Sequence, residues 1–320
     1  MRYLLAVVMA ASLAPAADQS LLNMVMPEAK ILVGVDVDHA RDTVFGKFFL
    51  SQLTKDEPGL AKMTEATGFN PRRDLHEIIV ASIDDAAAGS KVPSNGLVLM
   101  RGNFDRDRIS TLIKTMGMGN PLTYLGQEVF TTTNPKDNGG FAILDKTTAI
   151  LGNIGSVKSA LERRKNGKSI DAKLTAKIQK LSASNDIWMM SSMPVSDIAS
   201  RIPGPTQGKN GMLNGDAMKN IQQASAGLKF TPSDVRVTAE AVAGSAKDAG
   251  ALADVVRFIS GMVQLGRDKD DASPFADIID SLQVKTEGNV FRLNITIPQD
   301  QLQQMWDKTP AKKSGAVRKV

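Results

Sequence analysis

The clearest pattern in the chain is an alternation. Ile31, Val33, Val35 and Val37 alternate with Leu32, Gly34, Asp36 and Asp38, a period of two that predicts a half-buried strand with its apolar face on the odd positions. Asp38 is placed to cap a following helix, in which Val44, Phe45, Phe48, Phe49 and Leu53 recur at helical spacing. A short helix is expected between Pro58 and Gly68, then strands at 77–83 and 97–102. Ile109, Leu112, Ile113 and Met116 mark an amphipathic helix ended by Gly117. Strands at 124–132, 141–144 and 148–151 follow, then helices at 155–165 and 171–182.

Beyond residue 185 the same order of elements starts again. A strand at 187–193 and a short helix at 196–202 precede a Gly/Pro/Asn-rich loop, 203–215. Strands at 228–231 and 235–243 then match the pair at 77–102. Val235, Val237, Ala239 and Ala241 share one face, with Arg236, Thr238 and Glu240 on the other. Ser245 caps a long helix with Leu252, Val255, Val256, Ile259 and Val263, and two strands flank the turn Gly288-Asn289. A last helix carries Leu302, Met305 and Trp306. Strands with one polar face argue for antiparallel sheet. The expected fold is therefore α+β: two tandem copies of a strand-helix-strand-strand-helix-strand-strand-helix unit, at 28–183 and 185–308, mainly antiparallel, with helices packed on one face.

Composition narrows the function classes. The chain has 320 residues, 42% of them hydrophobic, no cysteine and two histidines. That length and apolar content exclude intrinsic disorder, and the missing residues exclude disulfide frameworks, thiolate metal sites and cysteine nucleophiles. The net charge of +5, with both signs mixed, is too weak to name nucleic acid as a partner. The start changes the picture more. Arg2, an uncharged run from Leu4 to Leu13 and the small residues Ala14-Pro15-Ala16 form the three parts of a secretory signal peptide, 1–16, with cleavage before Ala17. The run is too short to span a bilayer, which takes about 20 residues, and no transmembrane segment is expected in the mature chain. A periplasmic or extracellular location follows. The tail 309–320, with Lys312, Lys313, Arg318 and Lys319, reads as a disordered basic segment.

The segments MPEAKILVGVDV (26–37), TGFNPRRDLHEIIVAS (67–82) and LVLMRGNFDRDR (97–108) resemble a group of uncharacterised secreted bacterial proteins. The resemblance implies export and a repeated α+β build. The group has no established activity, so no catalytic residue is carried across.

Candidate chemistry is sparse. Asp36, Asp38, His39 and Asp42 lie within seven residues and form a candidate for Ca²⁺ or Mg²⁺, but calcium needs six to eight oxygens and no glycine-turned loop supplies them. Capping and strand-face roles account for the same aspartates, and the run Asp268, Asp270, Asp271 lacks the glycine and glutamate of a calcium loop. Fifteen methionines suggest soft Cu(I) ligands, with Met24 and Met26, Met116 and Met118, and Met189, Met190 and Met193 as the groups, against their ordinary role as core fillers. Arg163, Arg164, Lys165 and Lys168, after Glu162, end a helix and form a candidate for contacting anionic lipid or polysaccharide, a run that also offsets the helix dipole. Arg72, Arg73 and Asp74 read as a structural corner after Asn70-Pro71.

No nucleophile elbow, P-loop, zinc-protease helix or dinucleotide-binding glycine motif is present in the sequence. His39 and His76 each have carboxylates near them in sequence, Asp38 and Asp42 for the first and Glu77 for the second, which leaves a His-carboxylate hydrolase as an alternative. The leading expectation is an exported, non-catalytic protein, needing no cofactor, that binds or scaffolds an envelope component (lipid, glycan or protein) through an open sheet face or the cleft between the repeats.

Overall fold

The structure, a computed structural model, describes residues 16–47, 64–83, 95–134, 137–167, 170–193, 220–265 and 276–302. The hydrophobic run of the expected signal peptide, the helix expected at 196–202, the loop 203–215, the 268–271 aspartates, Lys168 and the basic tail lie outside the described residues. The fold is α+β with antiparallel sheet, and the chain divides into two compact units: one from segments 1–38, 59–86 and 90–188, the other from 39–58, 87–89 and 189–320.

In the first unit a short helix α1 (Gln19–Leu22) precedes strand β1 (Ile31–Asp36), and the one-turn helix α3 (Pro71–Asp74) leads into β2 (Leu75–Ser82) and β3 (Gly96–Gly102). Helix α2 (Val37–Asp42) begins directly after β1. Helix α4 (Arg106–Thr115) is followed by strands β4 (Asn120–Tyr124), β5 (Gln127–Thr131), β6 (Gly139–Ile143) and β7 (Thr148–Asn153), then helices α5 (Ile154–Asn166) and α6 (Ala172–Ser184). The sheet order is β1-β2-β3-β7-β6-β5-β4, and neighbouring strands pair antiparallel.

Two expectations are corrected here. The first strand buries its even positions more deeply than its odd ones, with Leu32 2% exposed while Ile31, Val33 and Val35 are half-buried. The cause is Gly34: its bare backbone receives the Trp188 indole, and a Cβ there would come within 2.2 Å of the ring atoms. The single strand expected at 124–132 is instead a hairpin of β4 and β5, turning at Leu125 (φ 50°) and Gly126 (φ 77°). A two-residue hairpin with both central residues at positive φ matches the twist of its strands, but Leu-Gly is not the Asn-Gly pair by which such turns are recognised.

Strand β8 (Ile187–Ser191) carries the chain from one unit to the other, with Ile187 and Trp188 in the first. The second unit continues with β9 (Ile221–Phe230), β10 (Asp234–Ala243), helix α7 (Ala246–Leu265), the short α8 (Ala276–Ile279), β11 (Gln283–Glu287) and β12 (Val290–Pro298). Its strand order, starting from residues 189–191 of β8, is β8-β9-β10-β12-β11. Strand β9 is seven residues longer at its start than the apolar pattern indicates, because Gln222, Gln223 and Ser225 give no alternation. Here the predicted faces hold. Ala241 pairs with Phe291 in register, both buried, and they pack with Ile221, Ala243 and the α7 residues Ala249, Leu252 and Ala253. The opposite face carries Glu240 and Arg292, directly opposed and joined by an ion pair at 2.9 Å. The Ser245 cap is also in place: its hydroxyl accepts from the backbone N–H of Asp248 at 3.1 Å.

Candidate functional site

The residues just after the expected cleavage point are built into the first unit. Ala16 is exposed, Ala17 is 7% exposed, and Leu21, Leu22, Met24, Val25 and Met26 are buried. Asp18 caps α1, accepting from the N–H groups of Ser20 at 2.7 Å and Leu21 at 3.2 Å. Four other elements hold this segment. The Ala17 N–H donates to Ser182 Oγ of α6 at 2.9 Å, the Asp18 N–H to both carboxylate oxygens of Glu77 in β2 at 3.2 Å, Arg101 of β3 ion-pairs with Asp18, and Arg163 of α5 donates to the Met24 carbonyl at 3.0 and 2.8 Å.

Around that anchor lies a small pocket of about 230 Å³, lined by Ala17, Asp18, Asp36, Asp38, His76, Glu77, Arg101, Ser182, Asn185 and Trp188 among others. Its electrostatics are unbalanced. Four carboxylates share it with one guanidinium and one imidazole. Burial, with the charges of Asp18 and Asp36 adding to it, pushes the Glu77 carboxyl from 4.5 up to about 7, although the Asp18 N–H and Arg101 pull the other way. Asp18 moves oppositely: burial raises it, but the Ser20 hydroxyl, Arg101 and two backbone N–H groups together bring it below its ordinary value.

His76 meets Asp38 here, its Nδ1 2.8 and 2.9 Å from the two carboxylate oxygens. The neighbouring hydroxyls are already engaged. Ser182 Oγ accepts from Ala17 and donates to the Gln179 carbonyl at 3.2 Å, while Ser20 Oγ donates to Asp18 and accepts from Arg101, each at 2.6 Å. Neither is presented to the imidazole as a nucleophile.

A larger cleft of about 930 Å³ opens elsewhere in the first unit, between the corner 67–74, the segment 103–108 and the turn 144–146. Asn70 makes the corner by capping Pro71–Asp74, accepting from the Arg72 N–H at 3.0 Å. Arg73 clamps Asp74 with two hydrogen bonds, at 2.6 and 2.7 Å, and holds its carboxyl below the ordinary range. Phe69 stacks on Phe104, ring centroids 5.2 Å apart. Asp105 caps α4, and Arg108 reaches the Ala66 carbonyl at 2.8 Å. Asp145 accepts from Thr147 and, at 2.7 Å, from Arg164.

The remaining sequence candidates are dispersed. Asp36 ends β1, whereas Asp38, His39 and Asp42 lie on α2, so Asp36 and Asp38 do not share a strand face as the alternation implied. No group of three or more His, Asp or Glu side chains is arranged to hold a metal ion among the described residues. Arg163 is turned inward, and burial lowers its pKa; Arg164 pairs with Asp145, and Lys165 is exposed in the last turn of α5. Met24 and Met26 are buried, Met116 and Met118 are exposed, and Met190 accepts a hydrogen bond from Gln223 at 3.2 Å. Sequence reading missed Ala17, Asp18, Arg101 and Ser182, because no local motif links residues so far apart in the chain. The cleft did leave a signal, the charged run Asp105-Arg106-Asp107-Arg108 after a strand and the Arg-Arg-Asp corner.

No family model matches the chain, and no curated protein matches it in sequence. The fold is similar to that of TP0453. Its crystal form III superposes with a TM-score of 0.56 at 10% identity, covering 90% of this chain and 98% of that one, and crystal form IV with 0.51 at 10% identity, covering 90% and 96%. At that identity the likeness is one of fold alone. No helix among the described residues is long and apolar enough to cross a membrane.

Proposed function

We propose that the protein is exported through a cleavable signal peptide, residues 1–16, and binds an anionic component of the cell envelope without catalysis, in the cleft beside Phe69 and Phe104. The cleft carries this reading. Asp74 is neutralised by Arg73, Asp145 is held by Arg164 and Thr147, and Asp105 is turned onto the N-terminus of α4. The charge left for a ligand is that of Arg106, Arg108 and Lys146 against Asp107. The stacked rings add an apolar wall, so the cleft suits a molecule with a phosphate or carboxylate and a flat or apolar body. The finer architectural reading, two divergent copies of one strand-helix unit, is supported by the strand order: first-second-third-fifth-fourth in the second unit, and the same in the first once the β4–β5 hairpin is set aside.

Thermal unfolding of residues 17–320 with anionic lipid vesicles, neutral vesicles and anionic or neutral glycans tests the proposal. A ligand that binds only the folded state adds about 2.7 kcal/mol of stability at one hundred times its dissociation constant. The expected result is a shift with an anionic lipid or glycan that is lost when Arg106→Ala and Lys146→Ala are combined. A flat panel, or a shift the double variant keeps, overturns it.

The His76–Asp38 pair favours a second reading, a hydrolase with His76 as its base. Turnover of an ester, peptide or glycoside that disappears in His76→Ala would establish it. An inactive parent protein ends it.

A further inference from the structure

The polar pocket of the first unit and the expected cleavage point coincide, and together they suggest what the mature N-terminus does. The peptide bond between Ala16 and Ala17 is where the chain passes from exposed to buried. On the buried side, the nitrogen of Ala17 already points at Ser182 Oγ, and the next nitrogen donates to Glu77. The pocket beside it holds more carboxylates than cations. As long as Ala17 is acylated by Ala16, its nitrogen is a neutral amide with a single hydrogen.

We propose that hydrolysis of the Ala16–Ala17 bond creates an α-ammonium that docks in this pocket, against Ser182 and the Glu77 and Asp36 carboxylates, and so locks the fold of the processed protein. This rests on the export reading above. The step is an ordinary hydrolysis: the C–N bond breaks, water supplies the oxygen that leaves Ala16 as a carboxylate, and the nitrogen of Ala17 takes protons to become an ammonium. One positive charge with two further donors then enters a site where Asp18, Asp36, Asp38 and Glu77 face Arg101 and His76. Glu77 reports the imbalance, since in the chain with Ala16 attached its carboxyl is held near 7 by burial and by Asp18 and Asp36. A docked cation lowers that value and is itself stabilised, so the amine titrates above its ordinary value of about 8.

The comparison uses two chains, one beginning at Ala17, released from a fusion partner that leaves nothing behind, and one keeping Ala14, Pro15 and Ala16. The expected result is an unfolding midpoint several degrees higher for the Ala17 chain at pH 7. The gap closes at high pH, where the amine loses its proton, and at low pH, where the carboxylates gain theirs. NMR titration of the Ala17 amine should give a pKa raised by about one unit or more. Acetylating the Ala17 amine, or changing Glu77→Gln, abolishes the difference between the chains; if Glu77→Gln does not fold, Ser182→Ala serves the same purpose. Equal midpoints, with an amine that titrates at about 8, overturn the docking. N-terminal sequencing of the protein from envelope fractions separates the two ideas: a start other than Ala17 refutes the cleavage reading, whatever the two chains show.

Discussion

The two units cover their sheets in different ways. In the second unit one 20-residue helix, α7, lies on β10, β11 and β12, and the buried layer between them is built from four alanines with Ile221, Leu252 and Phe291. In the first unit the corresponding work is shared. Helix α5 packs on β3, β6 and β7, α1 on β3, and the segment 17–26 adds six buried apolar side chains and a set of polar ties. The second arrangement is generic: a helix stripe on a sheet face, each legible from its own periodicity. The first depends on particular residues meeting at particular points, and it is the unit with the polar pocket and the cleft. Helix-on-sheet packing fills space, whereas a segment threaded among strands and helices brings unlike groups together.

The largest test of this contrast removes the ring that packs under α7. Phe291→Ala is expected to cost about 3–5 kcal/mol in denaturant unfolding, because the alanines around it cannot expand into the cavity. Leu22→Ala is the counterpart in the first unit, at about 2–5 kcal/mol; a cost near zero would mean that the 17–26 segment is not part of the core.

Gly34→Ala sharpens the comparison at a close approach. The added methyl collides with Trp188, so a loss of about 1–3 kcal/mol is expected together with altered tryptophan emission. Unchanged emission would show that the indole does not rest on that strand.

Smaller, and dependent on pH, is the effect of Glu77. Its folded value of about 7 lies above its ordinary 4.5, so the folded state holds a proton that the unfolded chain has released. Stability should therefore fall as pH rises from about 4.5 to 7, by roughly 1–3 kcal/mol in the chain that keeps Ala16. Unfolding curves at pH 5 and 8 measure the slope, and Glu77→Gln should remove it. A slope of the opposite sign would place an ionised Glu77 in the fold.

The smallest effect is a gain. Leu125 holds a positive φ in an exposed turn, which costs a side chain of its kind roughly 1–2 kcal/mol. Leu125→Asn should return up to about 1 kcal/mol, read as a higher unfolding midpoint. No change would indicate a different turn.

Much of the fold was legible where pattern and local chemistry agree. The apolar stripe and the Gly117 stop placed α4, and the Gly288-Asn289 turn placed β11 and β12. Where the pattern was weak it misled: Gln222 to Ser225 hid the start of β9, and Leu125-Gly126 hid a hairpin. The face of β1 was misjudged for another reason. Ile31, Val33 and Val35 are the bulkier set, but Trp188, more than 150 residues away, needs the bare surface of Gly34. The candidate sites follow the same rule. His76 and Glu77 drew notice as titratable neighbours, yet Asp38 as the partner of His76 and Ser182 as the partner of Ala17 come from distant segments.

The sequence by itself determined what is local: the two periodicities, the caps and stops of helices, the absence of thiol chemistry and the expectation of a cleavable N-terminal segment. These are decided within a turn or a strand, because the forces involved act between residues a few positions apart. Tertiary structure alone decided which strand face is buried, which hydroxyl receives Ala17 and why the Glu77 carboxyl sits near 7. Those depend on desolvation and charge summed over groups from β1, β2, β3 and α6, and they exist only once the chain has brought these elements around one point.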